Sequence, residues 1–189
     1  MNPATGATTP VGNFGFGGGY METLAFDPST GTLFGMSSIS SLYSINQATG
    51  AATLIGSTHN FNPFHAMACD NNGTLYGVDS DGYLLEINRS TAANMGGVRL
   101  AHTLSDIAFR PEDNVMFGTS YDSPGNASLY IIHPATGAIT LVGTTGAGVL
   151  LMSGLAFSAV PEAASLSALT LVAGAAMAAR FRRRPLRRP

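Results

Sequence analysis

The groups that could do chemistry in this chain are few. It has four histidines, one cysteine and eleven acidic residues. No G-x-S-x-G elbow, H-E-x-x-H, C-x-x-C or P-loop gathers them into a nucleophile, metal or phosphate site. Asp79-Ser80-Asp81-Gly82 begins like a calcium loop, but Asn88 stands where the bidentate Glu would be. Two aspartates before a glycine read more simply as a hairpin. His59, His65, His102 and His133 share no ligand spacing, and His133 reads as a turn residue. Cys69, within Ala66-Met67-Ala68-Cys69, reads as a small buried hydrophobe. One constellation remains, Glu22 with His65 and Asp106. A Glu, a His and an Asp at one mouth could bind a cation or act as acid and base. The plainer reading is a hydrated rim, polar because it faces water.

What brings the three together is an internal repeat. Asn2-Pro3-Ala4-Thr5-Gly6 returns as Asn46-Gln47-Ala48-Thr49-Gly50, as a worn Asn88-Arg89-Ser90-Thr91-Ala92, and as His133-Pro134-Ala135-Thr136-Gly137. The offsets are 44, 42 and 45 residues. A second set keeps the same beat: Leu24-Ala25-Phe26, Met67-Ala68-Cys69, Ile107-Ala108-Phe109 and Leu155-Ala156-Phe157. Three of these lead through a polar turn into Leu33-Phe34-Gly35, Leu75-Tyr76-Gly77 and Met116-Phe117-Gly118. Aligning the second set puts Glu22, His65, Ser105 and Ser153 in one column, with Thr23, Ala66, Asp106 and Gly154 in the next.

Each unit reads as four short strands in about 43 residues, with Gly, Asn and Asp at the turns that need positive φ. No helical period appears before residue 163. Four-stranded units at this period are the signature of β-propeller blades. The pattern resembles bacterial propeller-type repeat proteins, without a WD or kelch signature. The expected fold is all-β, a partial or small propeller-like array over residues 1–159. Three blades are expected at about 22–56, 65–99 and 105–143. A fourth would be split between an outermost strand near 7–12 and an innermost near 150–158. The inner strands would converge at one channel mouth.

Residues 160–189 are of another kind. Val160, Pro161, Glu162 and Ala163 form a short polar hinge before seventeen uncharged residues, Ala163–Ala179. As a helix that run spans about 25 Å, close to a hydrocarbon core of about 30 Å. Arg180, Arg182, Arg183 and Arg184 follow, with Arg187 and Arg188 beyond. Basic flanks stay cytoplasmic, which puts the body on the far side of the membrane. This order of parts resembles the PEP-CTERM sorting signal of Gram-negative bacteria, with Ala163 where the motif has its second proline. The resemblance implies a transmembrane helix, processing by an exosortase, and a place among exported surface or matrix proteins associated with exopolysaccharide.

Charge agrees with an exported body. All nine basic residues are arginine, and residues 1–160 hold three of them against ten acidic groups, a formal −7. Such a surface excludes nucleic acid as a partner, since phosphate binding needs clustered cations. A lone cysteine excludes an intramolecular disulfide. No basic, apolar leader precedes the body, so the sequence is expected to begin late, after a leader and further blades. The reading is an exported envelope or matrix protein with no catalytic residues and no cofactor or metal. Its partners would be the exosortase, the membrane, and extracellular polysaccharide or envelope proteins. A propeller-type hydrolase or lyase with Glu22, His65 and Asp106 at the channel is the competing class, and a purely structural filler a third.

Overall fold

In the computed structural model the described residues are 5–17, 19–59, 62–122, 126–144 and 154–157. They contain twelve strands in three four-stranded antiparallel sheets. Blade 1 is β1 (Met21–Asp27), β2 (Thr32–Ser37), β3 (Ser41–Ile45) and β4 (Ala52–Ser57), paired in that order. Blade 2 is β5 (Phe64–Cys69), β6 (Leu75–Asp79), β7 (Tyr83–Ile87) and β8 (Asn94–Arg99). Blade 3 is β9 (Leu104–Arg110), β10 (Val115–Asp122), β11 (Asn126–His133) and β12 (Ala138–Thr144). These are the three blades expected from the repeat, within two residues at each end. The expected transmembrane helix and the sorting motif lie outside the described residues, among which there is no membrane-spanning helix.

Each hairpin closes by the chemistry its residues dictate. Between β1 and β2 the Ser29 amide donates to Asp27 Oδ1 at 2.8 Å, and Gly31 turns back at φ 72°. Blade 2 does the same with Asp70 and Gly73, and blade 3 uses Asn114 at φ 58°. Between β3 and β4 the amides of Ala48 and Thr49 donate to Asn46 Oδ1, and Gly50 sits at φ 77°. The worn copy keeps this geometry although Ala92 must take φ 64°, a region that costs a residue with a Cβ about 1–2 kcal/mol.

The blades stack side by side, β1 packing on β5 and β5 on β9. One core lies between blades 1 and 2, built from Phe34, Met36 and Leu42 on one side and Phe64, Met67 and Leu85 on the other. The second joins Ala66, Val78 and Leu84 to Leu104, Ile107 and Ile132. In each blade the glycine of the second strand makes room for a large side chain. A Cβ on Gly35, Gly77 or Gly118 would strike Met21, Phe64 or Leu104, respectively.

The split fourth blade needs correction at its outer strand, since residues 5–17 form none. Of the innermost strand expected near 150–158, only 154–157 are described, without strand pairing, and the rest lies outside the described residues. The glycines around Phe14 and Phe16 leave the segment 5–17 without the continuous side-chain pattern of a strand, and Gly15 sits at φ 72°. Instead it lies along blade 1. The Phe14 carbonyl accepts from the Ala52 amide at 2.8 Å, and Phe16 stacks on Tyr43 at 4.9 Å. At the other end, Phe157 packs against Phe117 at 5.2 Å.

Candidate functional site

Every inner strand carries an irregularity at one place. Met21 pairs with Ser37 and Thr23 with Met36, leaving Glu22 as the extra residue. Phe64 and Ala66 pair with Asp79 and Val78, leaving His65. Leu104 and Asp106 pair with Ser120 and Thr119, leaving Ser105. The bulged residues are the column aligned from the repeat. A bulge re-aims the side chain it carries, here toward the starts of the inner strands.

The result is an open cavity of about 470 Å³ lined by Glu22, Thr23, Leu24, His65, Ser105 and Asp106, with Phe14, Met21 and Gly154. The structure thus brings Glu22, His65 and Asp106 to one mouth. It does not bring them onto one point, since among the described residues no three His, Cys, Asp or Glu side chains could hold a metal ion together.

Each polar group has local engagements. Glu22 accepts from the Tyr20 phenol, which raises that phenol's pKa. Ser105 Oγ lies 3.1 Å from both the carbonyl and the hydroxyl of Thr119. Asp106 is the most committed. Its Oδ1 accepts from the Ile107 amide at 2.9 Å, and its Oδ2 from the Leu155 amide. Burial nevertheless raises its pKa, the hydrogen bonds from Leu155, Ile107 and Gly154 opposing that shift. Asp106 therefore fastens the returning 154–157 segment to β9. His65 is exposed.

Other candidates fall into turns. Asp79 Oδ1 accepts from the Asp81 and Tyr83 amides, and Asp81 accepts from Asn62 at 2.7 Å, so these carboxylates shape a hairpin. His133 opens the last hairpin, its carbonyl accepting from Gly137 at 2.9 Å. Cys69 is buried, and its thiol is pushed up to about 12 by burial and by nearby Asp27 and Asp70, which removes it from thiolate chemistry.

One polar centre escaped the sequence reading. Asp27 is fully buried and takes hydrogen bonds from the Ser29 amide and hydroxyl, from Thr30 Oγ1 at 2.7 Å, and from Arg89 Nη1 of blade 2. Arg89 also reaches Ser29 Oγ at 3.2 Å. Blade 3 is tied to blade 2 in the same region, Asn114 Oδ1 accepting from the Asn71 amide at 2.8 Å. The Asp-Pro-Ser-Thr-Gly turn signalled a hairpin, but nothing local marks a partner 62 residues away.

No protein-family model matches this chain, and no curated protein sequence does. Solved structures do share its fold. A structural-genomics protein of unknown function from Bacteroides thetaiotaomicron is 19% identical, with a TM-score of 0.51 over 62% of this chain. The WD40 repeats of RRP9 are 17% identical, with a TM-score of 0.50 over 69% of it. The chain spans 32% and 40% of the length of those two. With three four-stranded blades and these likenesses, the body is β-propeller-like.

Proposed function

We propose that this chain is an exported surface protein whose propeller-like body binds without catalysing. In this reading residues 160–189 are a PEP-CTERM-like signal, anchored by Ala163–Ala179 and its arginine flank and processed by an exosortase at the Pro161-Glu162 hinge. The body then lies on the extracytoplasmic side or in the matrix. Its acidic, arginine-poor composition fits that compartment. The observation that carries the non-catalytic reading is the state of Asp106. Its oxygens already hold the backbone of Ile107, Gly154 and Leu155, so using it as an acid or base would release the 154–157 segment. What remains at the mouth is an open surface bearing the Glu22 carboxylate, the His65 imidazole and the Thr23 and Ser105 hydroxyls beside Phe14. Aromatic and hydroxyl groups together suit a saccharide, so the ligand class is extracellular polysaccharide.

The gathering of Glu22, His65 and Asp106 at one cavity also supports a second reading, a propeller hydrolase. The two separate in one experiment with His65→Ala. Binding predicts that the wild type is retained on matrix polysaccharide, that His65→Ala weakens retention about tenfold, and that neither hydrolyses ester, lactone or glycoside substrates with or without divalent cations. Turnover by the wild type, abolished in His65→Ala, would establish the hydrolase and remove the binding-only reading.

A further inference from the structure

Blade 2 departs from its neighbours at one place on its outer edge. Opposite the aromatic residue of the second strand, Phe34, Tyr76 or Phe117, the third strand carries Ser44, Glu86 and Ile131 in turn. In blades 1 and 3 the outer strand continues the pairing there, Ser44 with Thr53 and Ile131 with Thr140. Blade 2 breaks it. Leu85 pairs with Gly97 and Ile87 with Asn94, so Glu86 has no partner in β8 and Met95 and Gly96 are the surplus. Such a break disrupts the ladder locally and bends the strand that carries it. Glu86 is exposed and Tyr76 half-buried, whereas Phe34 and Phe117 are buried.

The break opens into a groove. A cavity of about 360 Å³ is lined by Tyr76, Glu86, Met95, Gly96 and, from blade 3, Pro134. Pro134 holds the repeat position of Arg89, so no long side chain crosses here as Arg89 crosses to Asp27. A second cavity of about 270 Å³ is lined by Asn72, Thr74, Asn88 and Ser90, with Glu86 in its wall as well. Both lie toward the turns that end β5 and β7, at the opposite ends of the strands from Glu22 and His65.

The chemistry is a carboxylate set among neutral hydrogen-bonding groups. Asp27 and Asp113 are paired with arginines, Asp70 and Asp79 hold turn amides, and Asp106 holds Leu155. Among the described residues neither a hydrogen bond nor an ion pair occupies Glu86. Beside it, burial and the charges of Asp70 and Glu86 raise the pKa of the Tyr76 phenol, which stays a neutral hydroxyl. The three arginines of residues 1–160 offer an anionic polymer little, since Arg89 is paired with Asp27, Arg110 with Asp113, and Arg99 lies over the Tyr83 ring. A basic peptide adding as a strand needs a regular edge, and the shift at Met95 and Gly96 interrupts this one.

We infer that this groove binds an amino-sugar polymer, its ammonium groups at Glu86 and its hydroxyls along Asn72, Thr74, Asn88 and Ser90. The inference takes only its ligand class, polysaccharide, from the proposed function, and it concerns a second site away from the mouth.

The test is binding of a fluorescent glucosamine tetramer, against its N-acetylated form, to the full chain in non-ionic detergent micelles. The wild type prefers the free amine about fivefold at low salt, the contribution of one exposed ion pair, and less as salt is raised. Glu86→Gln is isosteric and exposed, so the thermal midpoint stays and the preference disappears. Glu112→Gln, which removes an exposed charge from the blade 3 turn, keeps the preference, and so does His65→Ala at the mouth. Equal binding of the two tetramers by the wild type overturns the inference. So does a preference that survives Glu86→Gln, or one that Glu112→Gln weakens as much, which would assign it to net charge. Tighter, Glu86-dependent binding of tetralysine would give the groove to a basic peptide and overturn it too. Equal retention of His65→Ala and the wild type on matrix polysaccharide would instead overturn the reading of the mouth, with the preference at Glu86 intact.

Discussion

Phe64→Ala is expected to lower the stability of the body by about 3–5 kcal/mol, the usual cost of emptying a phenylalanine site in a close-packed core. Phe64 is fully buried and belongs to the core between blades 1 and 2. It also covers Gly77, whose Cβ, if present, would stand 2.6 Å from the Phe64 ring. Neighbours can close the space only poorly, because β5 is held by β6 on one side while blade 1 packs across it. Urea denaturation would read the loss as a lower midpoint with little change in slope. A cost below about 1 kcal/mol would mean that the blades do not share this core in solution.

The second large effect is at Asp27. Asp27→Ala removes the acceptor for the Ser29 amide, the Ser29 and Thr30 hydroxyls and Arg89 at once. Hydrogen bonds to a charged group contribute about 1.5–3 kcal/mol each, and a donor left unsatisfied adds to the loss, so about 3 kcal/mol is expected after relaxation. The same group sets a pH dependence. Burial alone would raise its pKa, but hydrogen bonds from Ser29 and Thr30 and the charge of Arg89 outweigh burial and hold it below the ordinary carboxylate value. A depressed folded value means that the stabilisation is present above the unfolded pKa of about 3.9 and is lost as pH falls through the folded one. Asp27→Asn should therefore flatten the wild type's loss of stability as pH falls below about 4. Parallel acid profiles for the two proteins would show that Asp27 is not held ionised by these partners.

How far the sequence could be read depends on how far each signal reaches along the chain. Blade boundaries were legible because the hairpins are written in a few adjacent residues, such as Asp27-Pro28-Ser29-Thr30-Gly31 and Asn46-Gln47-Ala48-Thr49-Gly50, whose variants recur at one period. The column of Glu22, His65 and Ser105 was legible for the same reason, as an alignment. That each of these residues is a bulge was not, since the three side chains have nothing in common and a bulge is a property of the paired strand as well. The engagement of Asp106 with Leu155 and of Asp27 with Arg89 joins residues 49 and 62 apart, beyond any local pattern. The segment near residues 7–12 misled because its Thr-Pro-Val-Gly does copy the outer strands. Among the described residues it pairs with no strand of its own blade, and it lies against the blade 1 hairpin as an irregular run.

The central claim, that the body travels on a sorting tail, is tested most directly by the C-terminal mass of the mature protein. The chain would be expressed behind a signal peptide in hosts with and without an exosortase. The proposal predicts a body ending near Glu162, stripped of the apolar run and its arginines, only where the enzyme is present. An intact arginine-bearing C-terminus in both hosts would contradict it and leave residues 160–189 as a plain membrane anchor.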